Sequence, residues 1–268
     1  MKIGLLITAR LKSSRLPFKL LRDLNGYSII EHVINRSKAI NDVEEIVLCT
    51  STNLQDKPLV EVAKKNDIFY YLGSEEDVLQ RLSDASQFFG FDYVLSITGE
   101  NPILSIDHAN LMINRIKTLK EDFIYIDGLP IGTAVYGLNV NALKTVCEFK
   151  KEIDTEIWGP LINRPEIFKV GKIIAEEFYN RPGLRLTNDY FEDFELMNNI
   201  FNHFDRKSIP SLYAVLKYMD NNPEVLKINS ERIQLALEND TLERIDRFFK
   251  DNYEKILELK QKNYSNDF

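Results

Sequence analysis

Residues 1–19, MKIGLLITARLKSSRLPFK, decide how the rest of the chain is read. Lys2 to Thr8 is an apolar run of strand length, and a helical pattern returns at Ile29, Ile30, Val33 and Ile34. Between them, Ala9 to Lys19 carries four cations (Arg10, Lys12, Arg15 and Lys19) and two hydroxyls. A strand, a polar loop and a helix in that order open a βαβ unit, in which ligands gather beyond the carboxyl end of the strand. On composition the loop is either a solvated basic turn or a cradle for a triphosphate. The second reading has a mechanism: Arg forks and turn N–H groups chelate phosphate oxygens, and Lys adds a compact charge.

The alternation continues outward from this unit. Strand patterns at Glu45 to Thr50, Ile68 to Leu72 and Tyr93 to Ile97 are separated by helical patterns at Pro58 to Lys65 and Glu75 to Phe89, and helix Ile106 to Leu119 follows. This predicts an α/β protein built on a mainly parallel sheet. After Phe123 the strand patterns shorten (Phe123 to Ile126, Thr133 to Leu138, Phe168 to Ile174) and read as a mixed-sheet insertion. A strand at Leu184 to Thr187 then leads to a helix at Phe191 to Phe204. Helices are expected at Ile209 to Met219 and at Asp240 to Lys260, the latter capped by Asp240 with Glu243. The apolar stripe of that last helix (Leu242, Ile245, Phe249, Tyr253, Ile256, Leu257) suits packing on its own domain or a dimer contact.

Composition narrows the function. The chain has 268 residues, 44% hydrophobic and 28% charged, with a net charge of −7. That balance is typical of folded globular proteins. It argues against non-specific nucleic-acid binding, which draws on clustered Lys and Arg, so a phosphate site has to be local. No apolar run approaches a membrane span and Met1 to Thr8 shows no signal-peptide pattern, so a cytoplasmic protein with no membrane partner is expected. Two cysteines, Cys49 and Cys147, form no CxxC pair and read as reduced thiols.

Familiar phosphate motifs are absent: there is no GxxxxGK[ST], and no GxGxxG follows the first strand. The three histidines (His32, His108, His203) are scattered and read as structural. Glu100, in Thr98-Gly99-Glu100-Asn101-Pro102, and Asp189, after Leu184 to Thr187, both follow strand patterns and so fall at the edge where the basic loop lies. Two carboxylates meeting a triphosphate suit Mg²⁺, which takes a few protein oxygens and completes its octahedron with phosphate and water.

Several ordered segments resemble the cytidylyltransferases that make CMP-activated acidic sugars, closest to the branch of the spore coat polysaccharide biosynthesis protein F. They are Thr8 to Leu21 (TARLKSSRLPFKLL), Gly73 to Arg81 (GSEEDVLQR), Ile97 to Pro102, Arg185 to Asp193 (RLTNDYFED) and Asn222 to Asn229. The resemblance implies a Rossmann-like three-layer αβα nucleotidyltransferase fold over residues 1–230, with a helical extension at 231–268. It implies a nucleotide site of Thr8, Ala9, Arg10, Ser14, Arg15, Lys19, Ser74, Asp77, Arg81, Thr98 and Gly99. Arg10 and Lys19 would be catalytic groups on the triphosphate, and Glu100 and Asp189 the ligands of Mg²⁺. Lys12 reads as solvent-facing. Without the resemblance, Gly73 to Arg81 is a turn and helix start, with Ser74 as N-cap and Asp77 at the third helical position. Two positions depart from the family pattern: Glu100 where it has Asp, and Phe191 where it has Pro.

The expected activity transfers a cytidylyl group from CTP to an acidic sugar, a nonulosonic or ketodeoxy acid, with release of pyrophosphate, in a homodimeric enzyme. The alternative acceptor is a sugar phosphate or other phosphate compound, and Arg164, Lys169 and Lys172 could serve either one. A glycosyltransferase would need an Asp-x-Asp pair that the chain lacks, and a nucleotide sensor would bind CTP without releasing pyrophosphate. Asp154 to Pro160 holds the lone tryptophan, Trp158, as part of an acceptor pocket or as a core aromatic.

Overall fold

The apolar run that opens the chain becomes strand β1 (Ile3–Thr8), every residue of it buried. A computed structural model describes residues 1–265. After the basic loop come a hairpin of β2 (Asp23–Leu24) and β3 (Tyr27–Ser28), helix α1 (Ile29–Ser37), β4 (Glu45–Ser51), α2 (Lys57–Lys65) and β5 (Phe69–Gly73). The chain then returns through α3 (Val78–Phe89), β6 (Tyr93–Thr98), α4 (Ile106–Leu119), β7 (Phe123–Asp127), β8 (Tyr136–Asn139), α5 (Val140–Phe149), α6 (Gly159–Ile162) and β9 (Val170–Ile174). Four longer helices finish it: α7 (Phe191–His203), α8 (Leu212–Asn221), α9 (Asn239–Asp251) and α10 (Tyr253–Ser265).

Seven strands form one sheet in the order β5-β4-β1-β6-β8-β7-β9. β1 runs parallel to β4 and β6, β4 to β5 and β7 to β9, while β8 is antiparallel to both of its neighbours. The sheet is the middle layer of three. Alternate side chains of β1 divide between two cores, as the period-2 geometry of a strand requires. Ile3, Leu5 and Ile7 join Ile29, Val33, Leu59, Met112, Ile116, Leu196 and Val215 on one face. Leu6 joins Leu79, Leu82, Leu143, Val146, Ile245, Phe249 and Ile256 on the other. This is the α/β three-layer fold with a mainly parallel mixed sheet. No helix among the described residues is long and apolar enough to cross a membrane.

Three local expectations need correction. Leu184 to Thr187 forms no strand, only a single parallel bridge between Ile131 and Arg185. Pro130 on one side of Ile131 has no N–H to give, and Gly132 on the other turns at φ 86°, so pairing cannot propagate. The helix expected at Asp240 to Lys260 is two helices, interrupted at Asn252, whose Nδ2 donates to Phe248 O (2.9 Å). Its first turn starts one residue early and is closed by Thr241 and Leu242 N–H groups on the Glu238 carbonyl, so the Asp240 cap does not form. Ile245, Phe249 and Ile256 of the expected stripe pack on the chain's own sheet face. Trp158 lies in that layer too, 8% exposed and edge-on to Tyr136 and Phe123.

Helix α1 is set by a reciprocal capping box. Ser28 Oγ accepts from Glu31 N (3.4 Å), and the Glu31 carboxylate accepts from Ser28 N (2.8 Å). Burial alone would raise the Glu31 carboxyl, but the Ser28 N–H and hydroxyl together with Lys65 outweigh it and hold it at about 2. A carboxyl depressed in the fold stabilises it fully above its ordinary value of 4.5 and stops doing so as pH falls towards 2. Ser28→Ala should therefore cost about 1 kcal/mol in urea unfolding at pH 7. Glu31→Gln should flatten the fall in stability between pH 4.5 and pH 2.

Candidate active site

β4 and β5 lie on one side of β1, and β6 opens the other half of the sheet. The strand order thus reverses between β1 and β6, the crevice where α/β sheets bind ligands. The loops that leave these two strands run side by side and are bonded together. Gly99 N donates to Thr8 O (2.8 Å) and Thr8 Oγ1 to Ile97 O (3.3 Å). The approach is close enough that a Cβ on Gly99 would lie 2.9 Å from Ile30 Cδ1 and 3.2 Å from Ala9 Cβ. Thr8, Ala9, Thr98 and Gly99 therefore form a floor of backbone, and Thr98 Oγ1 accepts from Asn101 Nδ2 (2.8 Å).

The basic loop is anchored at both ends. Asp56, buried at the start of α2, accepts from Leu11 N (2.7 Å) and from Ser51 Oγ. Ser13 Oγ accepts from Leu16 N (3.3 Å) and closes a turn, whereas Ser14 stands exposed. Sequence gave Asp56 no part in the site, because nothing in its local pattern marks a tether for a loop 45 residues away.

Lys19 and Arg15 converge on Asp189. Lys19 Nζ lies 2.8 Å and Arg15 Nη2 3.4 Å from Asp189 Oδ1, and the Arg15 guanidinium sits over the Tyr190 ring. Arg185 Nη2 donates to the other oxygen, Oδ2 (2.8 Å). Asp189 is in turn positioned by Asp193, which is fully buried at the start of α7. Asp193 accepts from both sides of the Arg185 guanidinium (3.1 and 3.0 Å), from Asp189 N (2.9 Å), from Tyr190 N (3.0 Å) and from Asn229 Nδ2 (2.8 Å).

Glu100 stands in the field of Lys19 and Asp189. Its backbone carbonyl is held by Asn188 N (3.1 Å) and Nδ2 (3.2 Å), but no side chain among the described residues donates to its carboxylate. The three groups shift one another. Burial raises the Glu100 carboxyl, with Lys19 only partly opposing and Asp189 and Glu156 adding to the rise. Burial also acts upward on Asp189, but Lys19 and Arg185 outweigh it and its pKa falls. On Lys19 burial acts downward, and Glu100 with Asp189 overturns it.

Arg10 faces the second half of the cleft. Its Nη2 donates to Glu156 (2.7 Å), and its Nη1 reaches Glu75 O (3.3 Å) and Glu76 (3.4 Å). Lys12, expected to face solvent, has a side chain 58% exposed but still pairs with Glu75 and Glu76 (3.2 and 3.0 Å). The cap of α3 is Asp77, not Ser74: Asp77 Oδ1 accepts from Gln80 N (3.0 Å), and Ser74 Oγ accepts from Asp77 N (3.1 Å) in the preceding turn. Asp77 also receives Thr155 Oγ1 (2.8 Å) and Lys150 Nζ. Arg81 is buried, with its guanidinium on the carbonyls of Ser74 and Glu75. Asp77 and Arg81 thus shape the 73–77 loop from behind. The candidate acceptor cations are committed elsewhere: Arg164 to Asp246 (2.6 Å), Lys172 to Asp127 (2.6 Å) and Lys169 Nζ to Leu119 O (2.5 Å).

The arrangement is a cluster of loop cations, each paired with a carboxylate, beside Glu100 at a sheet switch point. The family profile described as cytidylyltransferase matches residues 5–267, nearly the whole chain. The chain belongs to the cytidylyltransferase family. It is a nucleotidyltransferase. Among relatives, the spore coat polysaccharide biosynthesis protein SpsF of Bacillus subtilis is 25% identical over 226 residues, covering 82% of this chain and 94% of that one. The 3-deoxy-manno-octulosonate cytidylyltransferase of Pectobacterium carotovorum is 26% identical over 154 residues, 55% of this chain and 59% of that one. A solved cytidylyltransferase from Leptospira borgpetersenii superposes with a TM-score of 0.78 at 23% identity, over 89% of this chain and all of that one. The cytidylyltransferase fold accounts for the switch-point cleft.

Asp193 is the buried anchor of this cleft, so Asp193→Asn removes one of the two carboxylates paired with Arg185 and puts an amide NH2 in place of one of the acceptor oxygens that hold Arg185, Asp189 N and Tyr190 N. The expected cost is about 3–5 kcal/mol in urea unfolding. A loss under about 1 kcal/mol would remove Asp193 as the element that fixes Asp189.

Proposed function

We propose that this cytidylyltransferase takes CTP and a hydroxyl of an acidic sugar, a nonulosonic or ketodeoxy acid, and makes the CMP-sugar and pyrophosphate for surface polysaccharide or glycoconjugate synthesis. The observation that carries the reading is the convergence of Lys19 and Arg15 on Asp189 beside Glu100, at the mouth of β1 and β6. The loop motif and the names of the relatives support CTP and an acidic sugar.

Arg10 and Lys19 hold the triphosphate in this scheme, with Arg15 and Ser14 supporting the loop. Thr8, Ala9, Thr98 and Gly99 let it lie close to the backbone, and the segment from Ser74 to Arg81 borders base and ribose. Each of these cations is paired with a carboxylate: Arg10 with Glu156 and Glu76, Lys19 and Arg15 with Asp189. A triphosphate offers them several negative oxygens at once, so binding exchanges one set of charge-assisted bonds for another. The sugar hydroxyl then attacks the α-phosphorus in line with the departing pyrophosphate. The protein contributes positioning and fixed positive charge.

The donors fit Mg²⁺. Glu100 keeps a carboxylate with no side-chain donor near Asp189, and hard oxygen ligands are what this cation prefers. No group of three or more His, Cys, Asp or Glu among the described residues could hold a metal unaided, so phosphate oxygens would complete the shell. When bound, the ion neutralises charge on the phosphates. Glu100 and Asp189 would hold it.

A pyrophosphate-release assay with Mg²⁺, the four nucleoside triphosphates and a panel of acidic sugars and sugar phosphates tests the reading. Release only with sugar phosphates would replace the acceptor, and no release with any pair would sink the proposal. Arg10→Ala should lower turnover about 100-fold with little change in melting temperature. Glu100→Gln should do the same to turnover while leaving the melting temperature equal or higher. The raised Glu100 carboxyl means that its charge opposes folding at pH 7, and Gln removes that charge.

A further inference from the structure

A second cationic cavity lies away from the nucleotide cleft, between the later turns of α1, the end of α7 and the 205–210 loop. Its volume is about 250 Å³, and its walls include His32, Asn35, Arg36, Phe201, Arg206 and Lys207. Arg36 decides its character. The residue is 2% exposed. Its Nε donates to Leu104 O (2.9 Å) and its Nη1 to Pro210 O (2.8 Å). Its Nη2 is buried with no acceptor among the described residues, and no carboxylate there lies within ion-pair reach of the guanidinium. Burial lowers its pKa to about 10, so the group is charged at neutral pH. A buried charge without a counter-ion opposes folding, and two carbonyls offset that only in part.

The neighbours add to the positive field. Arg206 and Lys207 form no ion pair with a described carboxylate. Arg206 Nη2 donates to Gly26 O (3.0 Å), its guanidinium lying over the Tyr27 ring. The cations of the basic loop after β1 contrast with these, since every one of them is matched by a carboxylate. The nearby acids do not fill the gap: Asp205 is turned to Lys207 N (2.8 Å), and Asp107 on α4 acts on Arg36 only through space. His32 is kept neutral by burial and points Nε2 at Leu24 O (2.8 Å).

We propose that this cavity is a binding site for a small phosphate-type oxyanion, with Arg36 at its base and Arg206 and Lys207 at its rim. The volume supports a small ligand. It falls below the roughly 300–1,000 Å³ of sites for drug-sized molecules. Phosphate or a diphosphate with a few waters fits that space, and planar guanidinium forks suit its oxygens. Arg36 also holds the Leu104 carbonyl, four residues beyond Glu100 on the same loop. An anion on Arg36 is thereby tied to the loop that carries Glu100.

The test is a calorimetric titration of inorganic phosphate, and separately of pyrophosphate, into the full chain at constant ionic strength. Three proteins are compared: the wild type, Arg206→Gln/Lys207→Gln and Arg10→Ala/Lys19→Ala. The rim pair lies on an exposed loop, and circular dichroism checks its fold. The expected result is a site that persists in Arg10→Ala/Lys19→Ala and weakens at least tenfold in Arg206→Gln/Lys207→Gln. Affinity for phosphate itself indicates a single-anion site, and affinity for pyrophosphate alone a diphosphate site. The proposal is overturned if neither anion binds the wild type at millimolar concentration, or if the rim substitutions leave binding unchanged. The rim variant decides the matter alone, because it leaves the loop after β1 intact.

Discussion

Strand β1 is paired on both edges, with β6 over its whole length and with β4 from Gly4 to Thr8. That double pairing fixes where two loops leave the sheet, and with them the position of every polar group in the cleft. Thr8 and Gly99 are bonded because their strands are, and the floor they form can be close-packed only because Gly99 has no Cβ. The apolar residues of β1 divide between two cores, so the strand cannot slip by one residue without turning both inside out. The chemistry of the mouth thus rests on an apolar register.

Above this floor the structure is governed by charge matching in an acidic chain. Asp189 takes Lys19, Arg15 and Arg185, while Arg10 and Lys12 divide Glu75, Glu76 and Glu156. Under the proposed function, the carboxylates that neutralise these cations would also keep them pre-positioned, which would limit the side-chain freedom lost when phosphate replaces them. Glu100 is the exception, a carboxylate pressed by burial and by its acidic neighbours. Strain of this kind at a functional site is maintained by the packing around it.

Much of this was legible in the sequence, for identifiable reasons. Buried parallel strands such as Tyr93–Thr98 are nearly continuous apolar runs, and α4 has both a clean 3.6-residue period and a Ser105 cap. The basic loop announced itself because its cations are contiguous. What stayed hidden depends on contacts distant in the chain. Asp56 looks like an ordinary polar residue until folding brings it to Leu11, and Asp193 and Asn229, which close two of the family-like segments, show their part only when folding brings them to Arg185 and Asp189. Helix α5 follows β8 with no intervening loop, Asn139 serving as the cap, so no turn signal separates it from the strand pattern. Arg81 and Asp77 lie in a recognisable motif, yet whether such groups face a ligand or brace a loop is decided by burial, which a motif does not encode.

One connection joins the cleft to the far face of the sheet. The stretch from Thr155 to Trp158 touches Asp77 through Thr155, Arg10 through Glu156 and the Tyr136 ring through Trp158. Since the chain contains a single tryptophan, its tryptophan emission comes from this stretch alone. The molecule carries its own optical probe two residues from Glu156, the partner of Arg10.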